Sequence, residues 1–384
     1  MRGSRLYVSF GLSLVFLYLT LFVPQIGSLA RGEIGLGTAL FGHMRFDLSQ
    51  LGDVIATANW APILGAGALL VVSLFVRAWR WKVMLNPLVP MPYGDVFSAM
   101  CIGYMANDLL PFRMGELYRA QVVHQISGLS RSAAFGSIVL ERVLDLLFMV
   151  PFMGLAILLF PVSPALRQGA MVMGLLTLVG AGFLVWIVVD RERALGLAQK
   201  MLAIFPKKIA HGIFKLLEKF TSGLSILRKS EHLLGLCVSS LVLWAMYAMM
   251  VWMVLAGLGF LSQGFESIDA NPLGAVLAIL MINTVGFVVP SAPGAVGTYH
   301  GVMTLGLTAM GVPGDRAAGF AILLHALNFI PLTGLGLFFF WKMGLTFREA
   351  RRLTSEPDDT QNGGGGAKSG AAEDHMDGAK RAIS

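Results

Sequence analysis

Long stretches without a charged residue restrict the fold of this chain more than any other feature of its sequence. A helix needs about 20 apolar residues to cross the hydrocarbon core of a bilayer. Only 13% of the residues are charged, compared with roughly 25% in soluble domains. We therefore predict an all-α, polytopic membrane helix bundle, and this composition excludes a soluble enzyme, a nucleic-acid-binding domain and a disordered scaffold. Segments free of Asp, Glu, Lys and Arg run 6–30, 54–76, 146–166, 168–189, 232–265, 270–314 and 317–341.

Six complete spans are predicted from these segments. The first follows Arg2 and Arg5 and ends in Ser28-Leu29-Ala30, which is similar to a signal-peptide cleavage site. Its apolar run is longer than the roughly 7–15 residues of a signal peptide, so a retained helix is favoured. The spans are expected at about 6–28, 56–78, 132–160, 168–189, 233–258 and 315–341.

The distribution of Lys and Arg predicts the orientation of these spans. Nine such residues lie in 190–232, six in 77–131 and four in 342–352, whereas 257–272 contains none. Loops rich in Lys and Arg are usually cytoplasmic, so the basic segments and both termini are placed in the cytoplasm. An even number of spans agrees with this placement, because it returns the chain to the side on which it started.

Two segments outside the spans have distinct compositions. Segment 190–232 carries apolar residues at helical spacing beside lysines. It is either a set of amphipathic helices on an anionic inner leaflet or a solvated loop whose charges set the topology. From about residue 354 onward the chain is rich in Gly, Ala, Ser, Asp and Lys, and 344–384 is predicted to be a disordered cytoplasmic tail. The expected organisation is a transmembrane domain over 1–343 followed by this tail.

Two apolar regions do not fit simple spans. Region 270–314 is interrupted by Pro290-Ser-Ala-Pro293-Gly294-Ala-Val-Gly297, and region 93–118 by Asn107-Asp-Leu-Leu-Pro111-Phe-Arg113-Met-Gly115-Glu116. Both interruptions contain the pattern Pro-x-x-x-Gly. Paired interruptions indicate an inverted repeat with a binding site between its halves. We therefore predict two broken, re-entrant helix pairs, and the alternative is two kinked spans without a repeat.

Polar residues near the two interruptions are the candidates for substrate binding and translocation, because ionisable groups are costly at membrane depth. A guanidinium group can hold a phosphate or carboxylate through two hydrogen bonds, and a half-helix N-terminus also favours an anion. Histidine titrates near neutrality and could relay protons. The alternatives are an ion-pair network that holds helices together and ordinary helix-packing histidines. The candidates are Asn107, Arg113, Glu116, Arg119, Glu141, Arg142, Asp145, Pro293, Gly294, Gly297, His300 and His325.

Motifs of known enzymes are missing from the sequence. There is no Gly-x-x-x-x-Gly-Lys-[Ser/Thr] phosphate loop, no His-Glu-x-x-His and no Gly-x-Ser-x-Gly. Cys101 and Cys237 are too few for a metal cage and lie in apolar stretches. No catalytic residue, metal or cofactor is therefore predicted, and transport is expected to be passive, ion-driven or driven by the membrane potential.

An ordered set of motifs resembles a known family. It comprises Arg77-Ala-Trp-Arg80-Trp81, Asn107-x-Leu-Leu-Pro111-x-Arg113-x-Gly115-Glu116-x-x-Arg119, Gly128-Leu-Ser-Arg131-Ser132, Glu141-Arg142-Val-x-Asp145 and Pro290-x-x-Pro293-Gly294-x-x-Gly297. These motifs resemble the flippase-like integral membrane family related to the transmembrane domain of lysylphosphatidylglycerol synthase, without that enzyme's soluble aminoacyl-transferase domain. The chain departs from the family pattern at His300, where glutamate is common, and at His325 and Asn328, where the last span often has an arginine.

The resemblance implies an inner (plasma) membrane protein that moves lipids or lipid-linked sugars between leaflets. The expected function is a flippase that carries an anionic or glycosylated lipid headgroup through a polar groove while the lipid tails stay in the bilayer. The alternative is an integral-membrane enzyme that modifies a polyprenyl or phospholipid headgroup, with Glu116 or Asp145 as the base and His300 as the acid. The expected partner is a membrane lipid and not a nucleic acid, and a homodimer is left open.

Overall fold

The computed structural model describes most of the helical part of the chain. The first predicted span at 6–28, the tail from 345 onward and residues 111–113 and 289–292 of the two interruptions lie outside the described residues. The described residues are 29, 31–41, 52–54, 56–110, 114–160, 167–168, 171–172, 174–179, 182, 186, 190–202, 214, 230–262, 265–288 and 293–344.

The described residues form α-helices joined by short connections, with no strand among them. A 3-10 turn at Pro293–Ala295 precedes the tenth helix. The helices are α1 Leu36–Phe41, α2 Trp60–Leu85, α3 Tyr93–Leu109, α4 Gly115–Ser127, α5 Arg131–Leu159, α6 Arg191–Leu202, α7 Ser230–Gly257, α8 Glu266–Ala270, α9 Pro272–Val288, α10 Thr298–Ala309 and α11 Gly314–Lys342.

Four helices in the described part of the chain are long and apolar enough to cross a membrane, namely α2, α5, α7 and α11. They confirm the predicted spans at 56–78, 132–160, 233–258 and 315–341. The predicted span at 168–189 is described only in short helical pieces. Helix α2 continues seven residues beyond its predicted end, to Leu85.

Side chains with amide or hydroxyl groups mark where several helices begin. Asn59 and Ser130 each accept a hydrogen bond from a backbone N–H in the first turn of α2 and α5. Asn271 has two roles at the start of α9. Its Oδ1 accepts from the Gly274 amide at 2.9 Å, and its Nδ2 donates to the Leu159 carbonyl at 2.8 Å. The start of α9 is thereby tied to the end of α5.

The helices form two units with the same order. The first unit is α2, the hairpin α3–α4 and the span α5; the second is α7, the hairpin α9–α10 and the span α11. Corresponding helices have similar lengths, with 17 residues in both α3 and α9 and 29 in both α5 and α11. The first hairpin helix of each unit packs against the closing span of the other unit, α3 on α11 and α9 on α5.

The two units run in opposite directions. Helices α2 and α7 are corresponding members of the two units, and they pack antiparallel. The backbone N–H of Asn59, at the start of α2, donates to the backbone carbonyl of Gly257, at the end of α7, at 2.8 Å. Near the other end, Arg80 Nη1 donates to Ser240 Oγ at 3.0 Å. Because corresponding helices point in opposite directions, this packing is that of the predicted inverted repeat.

Apolar side chains fill the interior and also cover the outside of the spans. Two buried clusters contain Trp81 in the first unit and Phe260 and Phe320 in the second. On the outer faces Leu158 is 82% exposed and Trp341 is 72% exposed. An apolar outer surface of this kind is suited to contact with lipid.

Candidate functional site

The first interruption begins where α3 ends at Leu109. Asn107 bridges it, because its Oδ1 accepts from the Gly115 amide at 2.8 Å and its Nδ2 donates to Glu116 Oε1 at 3.2 Å. Gly115 lies so close to α3 that a Cβ on it would come within 2.0 Å of the Gly103 carbonyl oxygen. Helix α4 can therefore fold back on α3 only with glycine at this position.

Glu141 is the centre of a buried ion cluster, with its side chain 1% exposed. Its Oε2 accepts from Arg119 Nη2 at 2.6 Å, and its Oε1 lies 3.5 Å from Arg142 Nη2 and 3.8 Å from Arg80 Nη2. The Arg119 guanidinium carbon also lies 3.4 Å from the centroid of the Trp81 ring. Buried charges are tolerated when they are paired, so these contacts fix α4 and α2 to α5.

Asp145 lies one turn further along α5 and is shared by two arginines. Its Oδ1 accepts from Arg80 Nη2 at 2.5 Å, and its Oδ2 lies 3.5 Å from Arg142 Nη1. The Arg80 side chain is 1% exposed and also donates to Ser240, so it joins α2, α5 and α7. Arg142 is 39% exposed, and both of its carboxylate contacts are 3.5 Å long. The cluster therefore contains tightly held arginines and one loosely held arginine.

Arg77 lies one turn before Arg80 and faces the same cluster. It forms no ion pair within the described part of the chain, although Asp145 lies within electrostatic range. Its Nε donates to Tyr247 Oη at 2.5 Å, and its guanidinium carbon lies 4.8 Å and 5.3 Å from the ring centroids of Tyr247 and Tyr104. The hydroxyl of Tyr104 is buried and lies next to the Arg77 guanidinium, within reach of a side-chain hydrogen bond.

The second interruption depends on glycines in the left-handed region, with φ of +70° at Gly294 and +90° at Gly297. A Cβ on Gly294 would lie 2.9 Å from Phe329 Cε2 and 3.4 Å from the Asp108 carbonyl oxygen. Asp108 belongs to the first interruption, and its Oδ2 accepts from Thr333 Oγ1 on α11 at 2.9 Å. The two interruptions therefore meet.

Two histidines form a hydrogen-bonded chain beside the second interruption. His300 Nδ1 accepts from the Gly297 amide at 3.4 Å, and His300 Nε2 lies 3.3 Å from His325 Nδ1. Because its Nδ1 accepts, a neutral His300 carries its proton on Nε2 and donates to His325. The backbone of Gly294 hydrogen-bonds to His325, and the Tyr299 ring stacks on it at a centroid distance of 5.0 Å. The chain thus starts and ends on the interrupted backbone.

The predicted candidates that are described fall into one group at each interruption. Arg113 lies outside the described residues, and only the backbone of Pro293, at the start of the 3-10 turn, is described. Arg119 pairs with Glu141 and lies over the Trp81 ring. The first group contains Arg119, Glu141, Arg142 and Asp145 in direct contact, with Glu116 and Asn107 beside them, and the second contains Gly294, Gly297, His300 and His325.

Several residues of this site are absent from the predicted candidates. Arg77 and Arg80 belong to the basic segment 77–131 in the sequence, whereas both lie on α2 in the structure. Their spacing of three residues on an apolar helix was the signal that could have placed them on one face. No sequence pattern points to Tyr104 or Tyr247, since their roles depend on contacts between helices that are far apart in the chain.

Comparisons with known proteins identify relatives of this chain. A UPF0104 membrane protein of Methanothermobacter thermautotrophicus is 25% identical over 303 residues, which cover 76% of this chain and 86% of that protein. Glycosyltransferase AglD of Haloferax volcanii is 23% identical over 322 residues, which cover 75% of this chain and 50% of that protein. No solved structure matches. The family described as lysylphosphatidylglycerol synthase TM region matches residues 7–336, and the chain belongs to this family of multi-pass membrane proteins.

Proposed function

We propose that this protein moves a lipid with an anionic or glycosylated headgroup between the two leaflets of the membrane. One observation carries the proposal: two interrupted hairpins of opposite direction meet at Asp108 and Gly294, with polar side chains on both sides of the contact. Interrupted helices of inverted repeats provide the substrate sites of many membrane transporters. A membrane lipid is also the substrate class that agrees best with the family.

The polar groups of the site can replace the hydrogen bonds to water that a headgroup loses when it leaves the aqueous phase. Moving an ionised group into hydrocarbon is costly unless partners or water replace its hydration. Arg142 is half-buried and offers guanidinium donors, and Asp145, whose side chain is 27% exposed, offers a carboxylate beside it. The lipid tails would remain along the apolar outer faces of the spans, so only the headgroup would need a polar path.

An enzyme acting on a polyprenyl or phospholipid headgroup is the second candidate, and the name of the relative glycosyltransferase AglD is the observation that favours it. A general base must be positioned to accept a proton from the substrate. The two candidate bases are already engaged, Glu116 with Asn107 and Asp145 with Arg80. The candidate acid His300 is engaged with His325. We therefore favour transport without a chemical change in the lipid.

We further propose a plasma-membrane location with both termini in the cytoplasm. Segment 190–232 is the most basic stretch between spans, which supports a cytoplasmic position. Single cysteines at the exposed positions Lys200 and Ser262 test this, in a background where Cys101 and Cys237 are replaced by Ser. An impermeant thiol reagent should label the two positions from opposite sides. Labelling from the same side would contradict the orientation.

Reconstitution into vesicles tests transport directly. Purified protein is placed in proteoliposomes that contain fluorescent phosphatidylglycerol, and the labelled lipid that becomes accessible from outside is followed over time. The expected result is faster exchange than in protein-free vesicles, with the mass of the lipid unchanged. Arg193→Ala is the matched control, because Arg193 is an arginine on α6 with an 83% exposed side chain, outside the ion cluster. A new lipid product in the mass spectrum would favour the enzyme instead.

A further inference from the structure

The arginines of the ion cluster are not equivalent. Arg80 and Arg119 are 1% and 3% exposed, and each has a carboxylate oxygen within 2.6 Å. Their charges are neutralised, and their contacts connect helices. Arg142 is 39% exposed with carboxylate contacts of 3.5 Å, and Arg77 is half-buried beside the phenols of Tyr247 and Tyr104, without an ion pair in the described part of the chain. Two of the four guanidinium groups are therefore available to a ligand.

The charges of the cluster do not balance within the described part of the chain. The four guanidinium groups face two carboxylates in contact and a third at longer range, which leaves one positive charge in excess. A low-dielectric site with an excess cation attracts an anion of matching charge. The groups counted are Arg77, Arg80, Arg119 and Arg142 against Glu141, Asp145 and Glu116.

Unpaired donor atoms lie at the same place as the excess charge. The Nε of Arg142 is buried without a hydrogen-bond partner in the described part of the chain, as are the Nε atoms of Arg80 and Arg119. The Tyr104 hydroxyl can accept from Arg77, and its own O–H has no acceptor among the described residues. Tyr104 lies within electrostatic range of both Arg77 and Arg142, so the phenol is close to both available arginines. Buried polar groups are normally hydrogen-bonded, and a group left without a partner in the protein points to a ligand that supplies one.

We propose that Arg77, Tyr104 and Arg142 form a binding site for a phosphoryl group that carries a single negative charge. The inference rests on the proposed function, since the phosphoryl group would be the phosphodiester of the transported lipid. The two guanidinium groups supply charge-assisted hydrogen bonds and the phenol supplies a third donor. Arg80 and Arg119 do not touch the ligand. A lipid diphosphate binds less tightly, because the excess charge counted over the described residues is a single positive charge.

Binding to purified protein in detergent tests this site. The probes are dihexanoyl phosphatidylglycerol, dihexanoylglycerol without the phosphate, and inorganic phosphate. Arg77→Gln and Arg142→Gln should each raise the Kd of the phosphatidylglycerol by at least about tenfold, and Tyr104→Phe by roughly three- to tenfold. Dihexanoylglycerol should not compete. If inorganic phosphate binds as tightly as the lipid with the same sensitivity to the variants, the phosphoryl site stands and its ligand is a soluble anion.

A stability measurement separates binding from a structural role. Tyr104→Phe removes a hydroxyl whose O–H has no acceptor among the described residues, so the ligand-free Tm should change little while the Kd increases. Tyr299→Phe is the matched control: its hydroxyl donates to Asn283 Oδ1 at 2.8 Å, so the Tm should fall while the Kd stays unchanged. Wild-type Kd values in both Tyr104→Phe and Arg142→Gln would overturn the site.

Transport is measured separately, so the two proposals can fail independently. If the variants bind the phosphodiester as well as the wild type while the wild type still moves lipid, the site is wrong and transport stands. If the wild type binds the phosphodiester and the variants bind it less tightly as predicted, but the wild type moves no lipid, the transport proposal is wrong and the site stands.

Discussion

The two units of this protein share a scaffold but differ in chemistry. In the first unit, Glu141 and Asp145 lie among arginines that join α2, α4, α5 and α7. In the second unit, the polar groups beside the interruption are two histidines, Tyr299 and Asn283, none of which carries a fixed charge. The order of the helices and their packing against each other are nevertheless the same.

Corresponding positions show where the difference arises. Gly314 follows Arg131 by 183 residues, and these two residues begin the closing spans α11 and α5. The same interval separates His325 from Arg142, and Asn328 from Asp145. A side chain without a fixed charge therefore occupies the position of the loosely held arginine. A symmetric scaffold can thus place a charged site on one side of the contact between the interruptions and a neutral one on the other.

Replacing Glu141 should have the largest effect, because it would leave three buried or half-buried arginines without their shared carboxylate. We expect Glu141→Gln to lower the free energy of unfolding by about 3–5 kcal/mol, which is enough to prevent normal accumulation in the membrane. His325→Gln is the comparison variant in the second unit, where the replacement leaves no charge unpaired, and should cost much less. Yield and Tm from size-exclusion chromatography of a fluorescent fusion measure both. Equal losses of yield and Tm in Glu141→Gln and His325→Gln would show that both units depend equally on their polar groups for stability.

Removing the loosely held arginine should abolish transport without unfolding the protein. Arg142 is partly exposed, and Glu141 and Asp145 keep Arg119 and Arg80 as partners in its absence. We expect Arg142→Ala and Arg113→Ala to reduce lipid exchange to the level of protein-free vesicles, and the corresponding Lys variants to recover part of it, since an ammonium is a point charge rather than a planar fork. Full exchange in both Ala variants, judged beside Arg193→Ala, would show that these arginines are structural.

The contact between the interruptions should tolerate little additional volume. Gly294→Ala places a Cβ 2.9 Å from Phe329 and puts a non-glycine residue at a φ of +70°. We expect a loss of about 1–2 kcal/mol in stability and a slower exchange rate. A double variant with Phe329→Ala should recover the steric part but not the backbone strain. An unchanged rate in Gly294→Ala would mean that this contact does not limit transport.

The smallest expected effect is a dependence of the transport rate on pH. His300 Nδ1 accepts a hydrogen bond from Gly297, and a protonated imidazole cannot accept one, so acid should break the histidine chain and lower the rate. Initial rates from about pH 3.5 to 8.5 in wild type, His300→Gln and His325→Gln measure this, since burial disfavours the charged imidazole. Gln keeps part of the hydrogen bonding without titrating in this range. The same profile in all three proteins would exclude proton coupling through this pair.

Much of the fold could be predicted from the sequence, because apolar length and interruption patterns are local features. The spans around α2, α5, α7 and α11 follow from the absence of charges, and the two interruptions follow from Pro and Gly. The end of α2 was predicted too early, because Arg77 and Arg80 look like the edge of a loop when their partners on other helices are unknown. The six-span count goes beyond the described residues.

The candidate site could be predicted only in part. Charged residues at membrane depth mark Glu141, Arg142 and Asp145 without any structure. Which arginine is neutralised and which is available depends on contacts between helices, such as that of Arg80 with Ser240, more than 150 residues away. The contact between His300 and His325 is also a tertiary feature, although each histidine could be found from the sequence.

Exchange of fluorescent phosphatidylglycerol in proteoliposomes, compared between wild type and Arg142→Ala, tests lipid transport through the charged first unit most directly. Protein that elutes as a single folded species is used for both, and mass spectrometry of the recovered lipid checks for chemical change. We predict rapid exchange of intact lipid with the wild type and exchange at the protein-free level with the variant. A wild-type rate no higher than that of protein-free vesicles, or equal rates in wild type and Arg142→Ala, would contradict lipid transport through the first unit.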